Sequence, residues 1–598
     1  MNSRAFIIAY IIALALFGTT IWLFLTYTTP IDISTIWFEF GEFKIPFGVY
    51  IDHLSLVMML IATALGVLDI HFSNAYMSDE PHQIRYYTLM IFFISAMILL
   101  VIAKDLVSLF VGWELMGLAS YLLISFWHQK RDPADAGMSA FLFTKFGDIF
   151  LFASIGLLFY LTGTLDLQEL NQQATNGDIE KNIIYIISIF IFISAIGKSG
   201  QFPLFPWLMR AMEGPTTVSA LIHGATMVNG GIYIIARMFD FYIAGEALII
   251  VALFGAISAF IGATSALVQS ELKKVLAYST MSHLSLAFIG LGAGSFSAGV
   301  GHLVNHAVFK ALLFLSAGAI IMYASHTKDM FRFGGYYQKM KYTAIFMGLG
   351  ALSLSGIPPF SGFYSKDMVI SASLLNPATY GLISTLTIIA GVLSVAYIGR
   401  LWFLSFAGVN RDEKLYQNIK PLSFFWINLP LLIMAIVTLL MGIFHQNILE
   451  YLQNSSEVMA SASPTLAEVP NLALYLLPII IFIGYLTYFY YAKRFELTQK
   501  IGSQPLMRAI HKVLFNGYFV EYLIFYLSKN IIVNGIAKSI NYVDRHIIDK
   551  SVLDTVQLSQ KIRQTLSKTH TSITGDNSAM MIMGLVILIV IFFVGGVI

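Results

Sequence analysis

The sequence predicts an all-α fold: a polytopic transmembrane helical bundle of about 15 spans with inverted repeats containing broken helices, plus a C-terminal amphipathic helix. Three observations predict it. Hydrophobic residues make up 57% of the 598 and charged residues only 11%, with a mean hydropathy of +0.76, far outside the range of soluble domains. Apolar runs of about 20 residues, enough to cross a hydrocarbon core of roughly 30 Å, recur from end to end. From 504 to 576 the pattern changes to apolar residues at helical spacing among charged ones. The net charge of +2 is spread along the chain and offers no basic face for nucleic acid. There is no cysteine, which excludes disulfides, thiolate zinc sites and cysteine-ligated iron–sulfur clusters within this chain. No cofactor or metal is expected here, and redox chemistry belongs to another chain.

The runs lie near 5–27, 49–70, 86–102, 106–126, 137–161, 182–210, 216–242, 247–269, 274–294, 297–323, 342–370, 377–409, 423–446, 470–492 and 577–598. The first, opened by Arg4, is too long for a signal peptide and no small-residue cleavage site follows, so it reads as a spanning helix. Basic residues are retained on the cytoplasmic side of a membrane. Arg85, Lys130, Arg131, Arg210, Lys273, Lys274, Lys328, Arg332, Lys339, Lys341, Arg411, Lys414 and Lys420 follow even-numbered spans, against Lys44, Lys104 and Lys181 after odd ones. This places the N-terminus in the cytoplasm of a multi-pass cell-membrane protein. Beyond 504, Ile532, Ile536, Ile540, Val543, Ile547 and Val552 recur among Lys538, Asp544, Arg545, Asp549, Lys550 and Lys561, too polar to span and too periodic for a loop. That stretch should lie along the membrane surface, facing lipid alone or a neighbouring protein, with Asp576 at the turn into the last span.

An internal repeat runs through the middle. Glu114-Leu115 recurs as Glu271-Leu272, and Ser199-Gly200-x-x-Pro203 as Ser355-Gly356-x-x-Pro359. About five spans separate each pair, and an odd number inverts the second copy. The expected organisation is N-terminal spans over 1–105, an ion-translocation core of two inverted five-helix repeats over 106–409, additional spans over 410–503, the amphipathic region over 504–576 and a C-terminal anchor over 577–598.

Charged side chains within apolar helices cost a few kcal/mol each, so each needs a reason. Glu114 has apolar neighbours for a full turn on both sides. Lys145 and Asp148, three residues apart, share a helical face and can pair, either as a static salt bridge or as part of an ion path. Lys198 ends an apolar run and precedes Pro203 and Pro206, which remove backbone donors and break the helix within the membrane. An unwound turn admits water, the setting in which a lysine near a carboxylate exchanges its proton; snorkelling, the structural alternative, belongs at helix ends. His223 lies in the next run. His302, His306 and Lys310, at i, i+4 and i+8, form a stripe about 12 Å long on one helix, with imidazoles suited to relaying protons. As a metal site, the His-x-x-x-His pair lacks the glutamate of His-Glu-x-x-His and any cysteine. Lys366, beside Asp367, follows a second break at Pro358-Pro359.

Taken in order, GWELMGLASYLLI, GKSGQFPLFPWLMRAMEGPTTVSALIHGATMV, LKKVLAYSTMSH, HLVNHAVFKALLFL and GFYSKD resemble segments of the antiporter-like subunits of the respiratory complex I family. Within that family the resemblance is to the branch called subunit L in bacteria and chain 5 in mitochondria, from about Val49 to the C-terminus. It implies that Glu114 and Lys198 pair at the input half-channel, with Asp148 modulating them. It implies that His223, His302, His306 and Lys310 carry the proton across the middle, and that Lys366 stands on the exit side. The stretch near 510–568 becomes a lateral helix braced against sister antiporter-like subunits. Other membrane-arm subunits, peripheral redox subunits and the lipid bilayer complete the expected partners. The implied function is that of a proton-translocating, non-redox subunit of a redox-driven NADH (or other donor) dehydrogenase with quinone as acceptor. A subunit of a multisubunit sodium/proton antiporter or membrane-bound hydrogenase, and a structural brace of the membrane arm, are the competing readings. Two departures stand out. One span instead of two precedes Tyr50-Ile51-Asp52-His53-Leu54-Ser55, and position 145 is lysine where the family commonly has arginine.

Overall fold

The structure is a computed structural model that describes residues 3–40, 43–417, 419, 422–453, 472–569 and 573–595. Helix α1 (Ser3–Thr26) leads into an antiparallel hairpin of β1 (Ile31–Phe40) and β2 (Phe43–Ile51), with Ile31 opposite Ile51 and Phe40 opposite Phe43. The hairpin adds strand to the expected helices, and its cause is local: both segments are rich in β-branched and aromatic residues and too short to span. The second span accordingly starts at His53 rather than near 49, capped by Asp52, whose carboxylate accepts from the Ser55 N–H at 2.8 Å.

The helices continue with α2 (His53–Tyr76), α3 (Gln83–Val101), α4 (Leu106–Ile124), α5 (Arg131–Thr162), α6 (Leu167–Asn176), α7 (Lys181–Lys198) and α8 (Pro206–Arg210). Next come α9 (Thr216–Gly224), α10 (Met227–Arg237), α11 (Phe239–Ala244), α12 (Leu248–Ala266), α13 (Leu272–Gly292) and α14 (Phe296–Tyr323). After α15 (Lys341–Ser355), α16 (Ser361–Leu375) and α17 (Leu382–Phe406), the series runs through α18 (Glu413–Gln417), α19 (Leu429–Ile443), α20 (His445–Gln453), α21 (Leu472–Tyr488), α22 (Phe495–Gly502) and α23 (Pro505–Phe515). Among the described residues, 13 helices are long and apolar enough to cross a membrane. The two remaining expected spans are the region 342–370, which is divided between α15 and α16, and the last one, whose apolar part Thr574–Ile589 is shorter. The segments α9–α10, α13 and α14 are entirely enclosed by protein, whereas little of α1 or α21 is. Of the polar groups of the sequence reading, His223, His302, His306 and Lys310 lie on those enclosed helices, whereas Glu114, Lys145, Asp148, Lys198, Lys366 and Asp367 lie on α4, α5, α7 and α16.

Both proline breaks are present. Between α7 and α8 the freed backbone groups find side-chain partners: Ser258 Oγ accepts from the Phe202 N–H at 3.0 Å, Trp207 Nε1 donates to the Gly197 carbonyl at 2.9 Å, and Gln201 Nε2 donates to the Ser199 carbonyl at 3.0 Å. Between α15 and α16, Gly356 takes a φ of 77°, and Ser353 Oγ accepts from the Gly362 N–H at 3.2 Å. A third break was not expected. The run 216–242 is split at Ala225–Thr226, one turn beyond His223, where Thr226 Oγ1 and Asn229 Nδ2 turn back onto the Leu221 and Gly224 carbonyls at 2.8 Å each. No proline marks it, so only the side-chain amide and hydroxyl reveal it.

The repeat shows in the ends of two helices. The Leu106 N–H donates to the Leu165 carbonyl and the Leu167 N–H to the Lys104 carbonyl; in the same way the Leu272 N–H donates to the Lys328 carbonyl and the Met330 N–H to the Ser270 carbonyl. Glu271 is thus the N-cap residue of α13 and corresponds to Asp105, the N-cap of α4. Glu114, in mid-helix, is not its counterpart, a correction to the Glu114-Leu115 match.

A second unit begins at Phe519. It holds α24 (Val520–Leu527), α25 (Lys538–Val543) and α26 (Asp549–Thr569), joined by the wider π-type turns of Ser528–Ala537 and Asp544–Ile548, and then α27 (Thr574–Gly595). From Val520 to Thr569 this is about 75 Å of continuous helix. Ile532, Ile536, Ile540, Val543, Ile547 and Val552 are exposed along it.

Candidate ion path

The first cluster joins α4, α5 and α7. Lys198 Nζ is fully buried, 3.4 Å from Asp148 Oδ2 and 3.1 Å from the Trp113 carbonyl, to which it donates. Asp148 Oδ1 accepts from Trp113 Nε1 at 2.6 Å and from Ser194 Oγ at 3.2 Å. Lys145 lies 3.8 Å from Asp148 and in contact with Glu114 Oε2, on a face where both side chains keep about a quarter of their exposure. The implied Glu114–Lys198 pair is therefore crossed. Each partner is held by α5, Glu114 by Lys145 and Lys198 by Asp148, because the i, i+3 pair presents a cation outward and a carboxylate inward. Gly117 makes room for the ammonium: a Cβ there would stand 2.6 Å from Lys198 Nζ.

The middle section lies on α9, α13 and α14. His223 is fully buried, stacks on Phe314 with ring centroids 4.6 Å apart, and neither ring nitrogen has a hydrogen-bond partner among the described residues. His306 is also buried, and both its nitrogens lack a hydrogen-bond partner among the described residues. Lys310 donates to Ser279 Oγ and, at 3.4 Å, to the Leu276 carbonyl. His302 approaches Ser365 Oγ of α16 at 3.0 Å through Nδ1 and His283 Nδ1 of α13 at 3.3 Å through Nε2. At the far end Lys366, one residue beyond Ser365, donates to Ser394 Oγ at 2.7 Å and to the Gly391 carbonyl at 3.4 Å. Asp367 is half-buried.

Sequence reasoning missed three groups. His283, inside LKKVLAYSTMSH, stacks against His302 at 5.4 Å and His306 at 6.3 Å and so bridges two rungs of the ladder. Lys273, counted above as a loop residue, is buried in the first turn of α13 and donates to the Met212 and Gly214 carbonyls at 2.8 and 2.7 Å. Asp52 and Arg237 form a buried bidentate pair at 2.6 and 3.0 Å. For His283 the signal was there: a histidine in an apolar helix two residues before a further apolar run. The other two depend on which helices meet. Near the basic loops, burial alone would raise Glu213, but its hydrogen bond to Lys328 at 2.8 Å and the charges of Lys328, Lys273 and Lys274 hold it below the usual carboxylate range. Among the described residues no group of three or more His, Cys, Asp or Glu side chains is placed to hold a metal.

A many-spanned bundle with broken helices and enclosed lysines and histidines defines a membrane protein of the antiporter-like class. The family model described as NADH:quinone oxidoreductase/Mrp antiporter, TM matches residues 103–394, and that of NADH-Ubiquinone oxidoreductase (complex I), chain 5 N-terminus matches 37–87. The NAD(P)H-quinone oxidoreductase subunit 5, organellar chromatophore 1, of Paulinella chromatophora is 32% identical over 605 aligned residues, covering 94% of this chain and 89% of that one. The NAD(P)H-quinone oxidoreductase chain 5 of a Picosynechococcus species is 38% identical over 399, covering 64% of this chain and 60% of that relative's length. The solved structure of an Mrp complex from a Dietzia species shares the fold, with a TM-score of 0.72 at 24% identity, over 98% of this chain and 60% of that chain. The chain belongs to the chain 5 family of the NAD(P)H-quinone oxidoreductases.

Proposed function

We propose that this chain is a proton-translocating membrane subunit that does no redox chemistry itself and works within a redox-driven pump of the complex I type. The observation that carries the reading is the absence of counter-ions where a static bundle would need them. Lys310 and Lys366 are buried, and among the described residues their partners are only hydroxyls and carbonyls, while His223 and His306 have no hydrogen-bond partner. Taking charges out of water costs several kcal/mol per ion, and a structural role is served better by a paired or apolar residue. Groups that take and release protons in turn account for this cost.

In this reading the partly exposed Glu114–Lys145 pair is the input. Lys145 lies within reach of both Glu114 and Asp148, so its movement toward Asp148 weakens the hold on Lys198. The displaced charge then passes to His223 and Lys310, along His306, His283 and His302, and to Lys366. Electron transfer in other subunits biases the first pair, the 106–409 region acts as two inverted repeats, and the basic loops face the cytoplasm. The long helix from Val520 is the brace against sister subunits of the membrane arm.

Proton translocation by the assembled complex in vesicles, normalised to electron transfer, tests the reading. K310A should abolish translocation attributable to this subunit with assembly preserved. Normal translocation in K310A and K198A would reduce the chain to a brace. Exchange of sodium for protons by the purified chain alone would replace the pump with an antiporter.

A further inference from the structure

One buried acid has no part in the path above. Asp69, on α2, is 1% exposed, and neither carboxyl oxygen has a hydrogen-bond partner among the described residues. Asp69, Ser73 and Tyr76, at i, i+4 and i+7, share a stripe of α2, and the later two show where it faces. Ser73 Oγ is 2.8 Å from Tyr86 OH of α3, which is 2.6 Å from Thr217 Oγ1, and Tyr76 OH donates to Thr216 Oγ1 at 3.1 Å. The stripe therefore meets the start of α9, at the end of the bundle that carries Arg85, and Tyr76 is partly exposed there.

Two independent routes give the depth of Asp69. From Thr217, His223 lies six residues along α9, about 9 Å, while Asp69 lies four residues back from Ser73 on the antiparallel α2, about 6 Å. On the other side, a Cβ on Gly318 of α14 would be 3.6 Å from the Phe72 ring, and one turn deeper on α14 is Phe314, which stacks on His223. Asp69 is three residues deeper than Phe72, about 4.5 Å. Both routes set Asp69 level with His223 to within a helical turn, and His223 has two ring nitrogens without partners. The titratable groups within about two turns of this depth are His71 and Tyr76 on its own helix, Tyr86 on α3, His223 on α9 and, one turn past Phe314, Lys310 on α14.

We infer that Asp69 is a second proton donor to His223, refilled from the basic-loop side through the hydroxyls of Tyr76, Thr216, Thr217, Tyr86 and Ser73. With no donor or cation beside it, a carboxylate there would be costly, so the resting group is the neutral acid. In the transfer its O–H bond breaks and an N–H bond forms on His223, leaving a carboxylate and an imidazolium. A proton passed along the hydroxyls, each of which donates and accepts, restores the acid. A path through this subunit then has two inputs, one across Lys198 and one across Asp69. The inference rests on the proton-translocation reading above.

The test uses the assembled complex. Infrared difference spectra should show a carboxylic acid C=O band that changes during turnover and is missing in D69N, which keeps the shape of the neutral acid. Proton translocation through this subunit, normalised to electron transfer, should lose the share that enters across Asp69 in D69N, about half where the two inputs are equal, and be restored in D69E. Wild-type translocation in D69N, or no turnover-sensitive band assignable to Asp69, overturns the inference while a null K310A leaves the underlying reading intact. Normal translocation in K310A overturns both.

Discussion

Gly117→Ala is a one-methyl test of the crossed ion pairs. The added Cβ would stand 2.6 Å from Lys198 Nζ, about 0.8 Å inside ordinary contact, and no other atom lies within 4 Å of it. Because α4 is packed along its length, the flexible end of Lys198 must give way. A retreat of that size takes Lys198 from 3.4 Å to about 4.2 Å from Asp148, which at an effective dielectric of about 20 costs roughly 1 kcal/mol. It also strains the charged hydrogen bond to the Trp113 carbonyl, of the kind worth about 1.5–3 kcal/mol when lost. A combined loss of about 2 kcal/mol in one state of the pair shifts its equilibrium about thirtyfold. The translocation that enters across Lys198, per electron transferred, should therefore fall at least about tenfold while the complex still assembles. G156A on α5 is the control, since nothing lies within 4 Å of the Cβ it would add. Wild-type translocation by an assembled G117A complex would refute the placement of Lys198 against α4.

Three further outcomes follow from the same geometry. His283→Leu removes the ring between His302 and His306 and should lower translocation about tenfold or more with both neighbours in place; an unchanged rate in the same vesicle assay takes His283 out of the path. Asp52→Ala leaves the Arg237 guanidinium buried without its carboxylate and should destabilise the subunit by about 3–5 kcal/mol, measured as a lower thermal midpoint in detergent; an unshifted midpoint contradicts the pair. Glu213, held below the usual carboxylate range by Lys328, contributes stability that is present above the unfolded-state value of about 4.3 and lost as pH falls through its depressed one. The stability gap between wild type and E213Q should thus close on acidification, and a gap that stays constant with pH rules out the pair as its source.

How much could be read beforehand divides along a physical line. Charges in apolar runs and prolines within spans are local signals, so Lys198, Lys310, Lys366 and both proline breaks were legible from composition and spacing alone. Partner choice is not local. Lys145 and Asp148 were visible as a couple, yet which of them faces Lys198 depends on how α5 is rotated against α7, and that is set by packing. The break after His223 escaped because Thr226 and Asn229 make it with hydrogen bonds that an intact helix could equally accommodate. The strands of the hairpin were hidden by their position, in a connection judged only against the length of a span.

The distribution of carboxylates decides how charge can move in this bundle. Lys198 has Asp148 beside it, and among the described residues Lys310 and Lys366 form no ion pair with a carboxylate. In the proposed relay a charge on either of the latter has no paired anion to offset its burial, so it passes on as a neighbouring position takes it up. In that proposed relay the end at Asp148 holds charge at rest and the middle passes it on. In the proposed relay Glu114 and Lys145, the pair that stays partly exposed, are therefore where an outside field acts with most effect, because a shift of Lys145 onto Asp148 would release Lys198. Arginine at position 145 would keep that charge permanently, whereas the lysine present here can itself lose its proton. K145R in the assembled complex should then preserve pairing with Glu114 but alter the pH dependence of translocation. Identical pH profiles for wild type and K145R would show that position 145 acts only as a fixed charge.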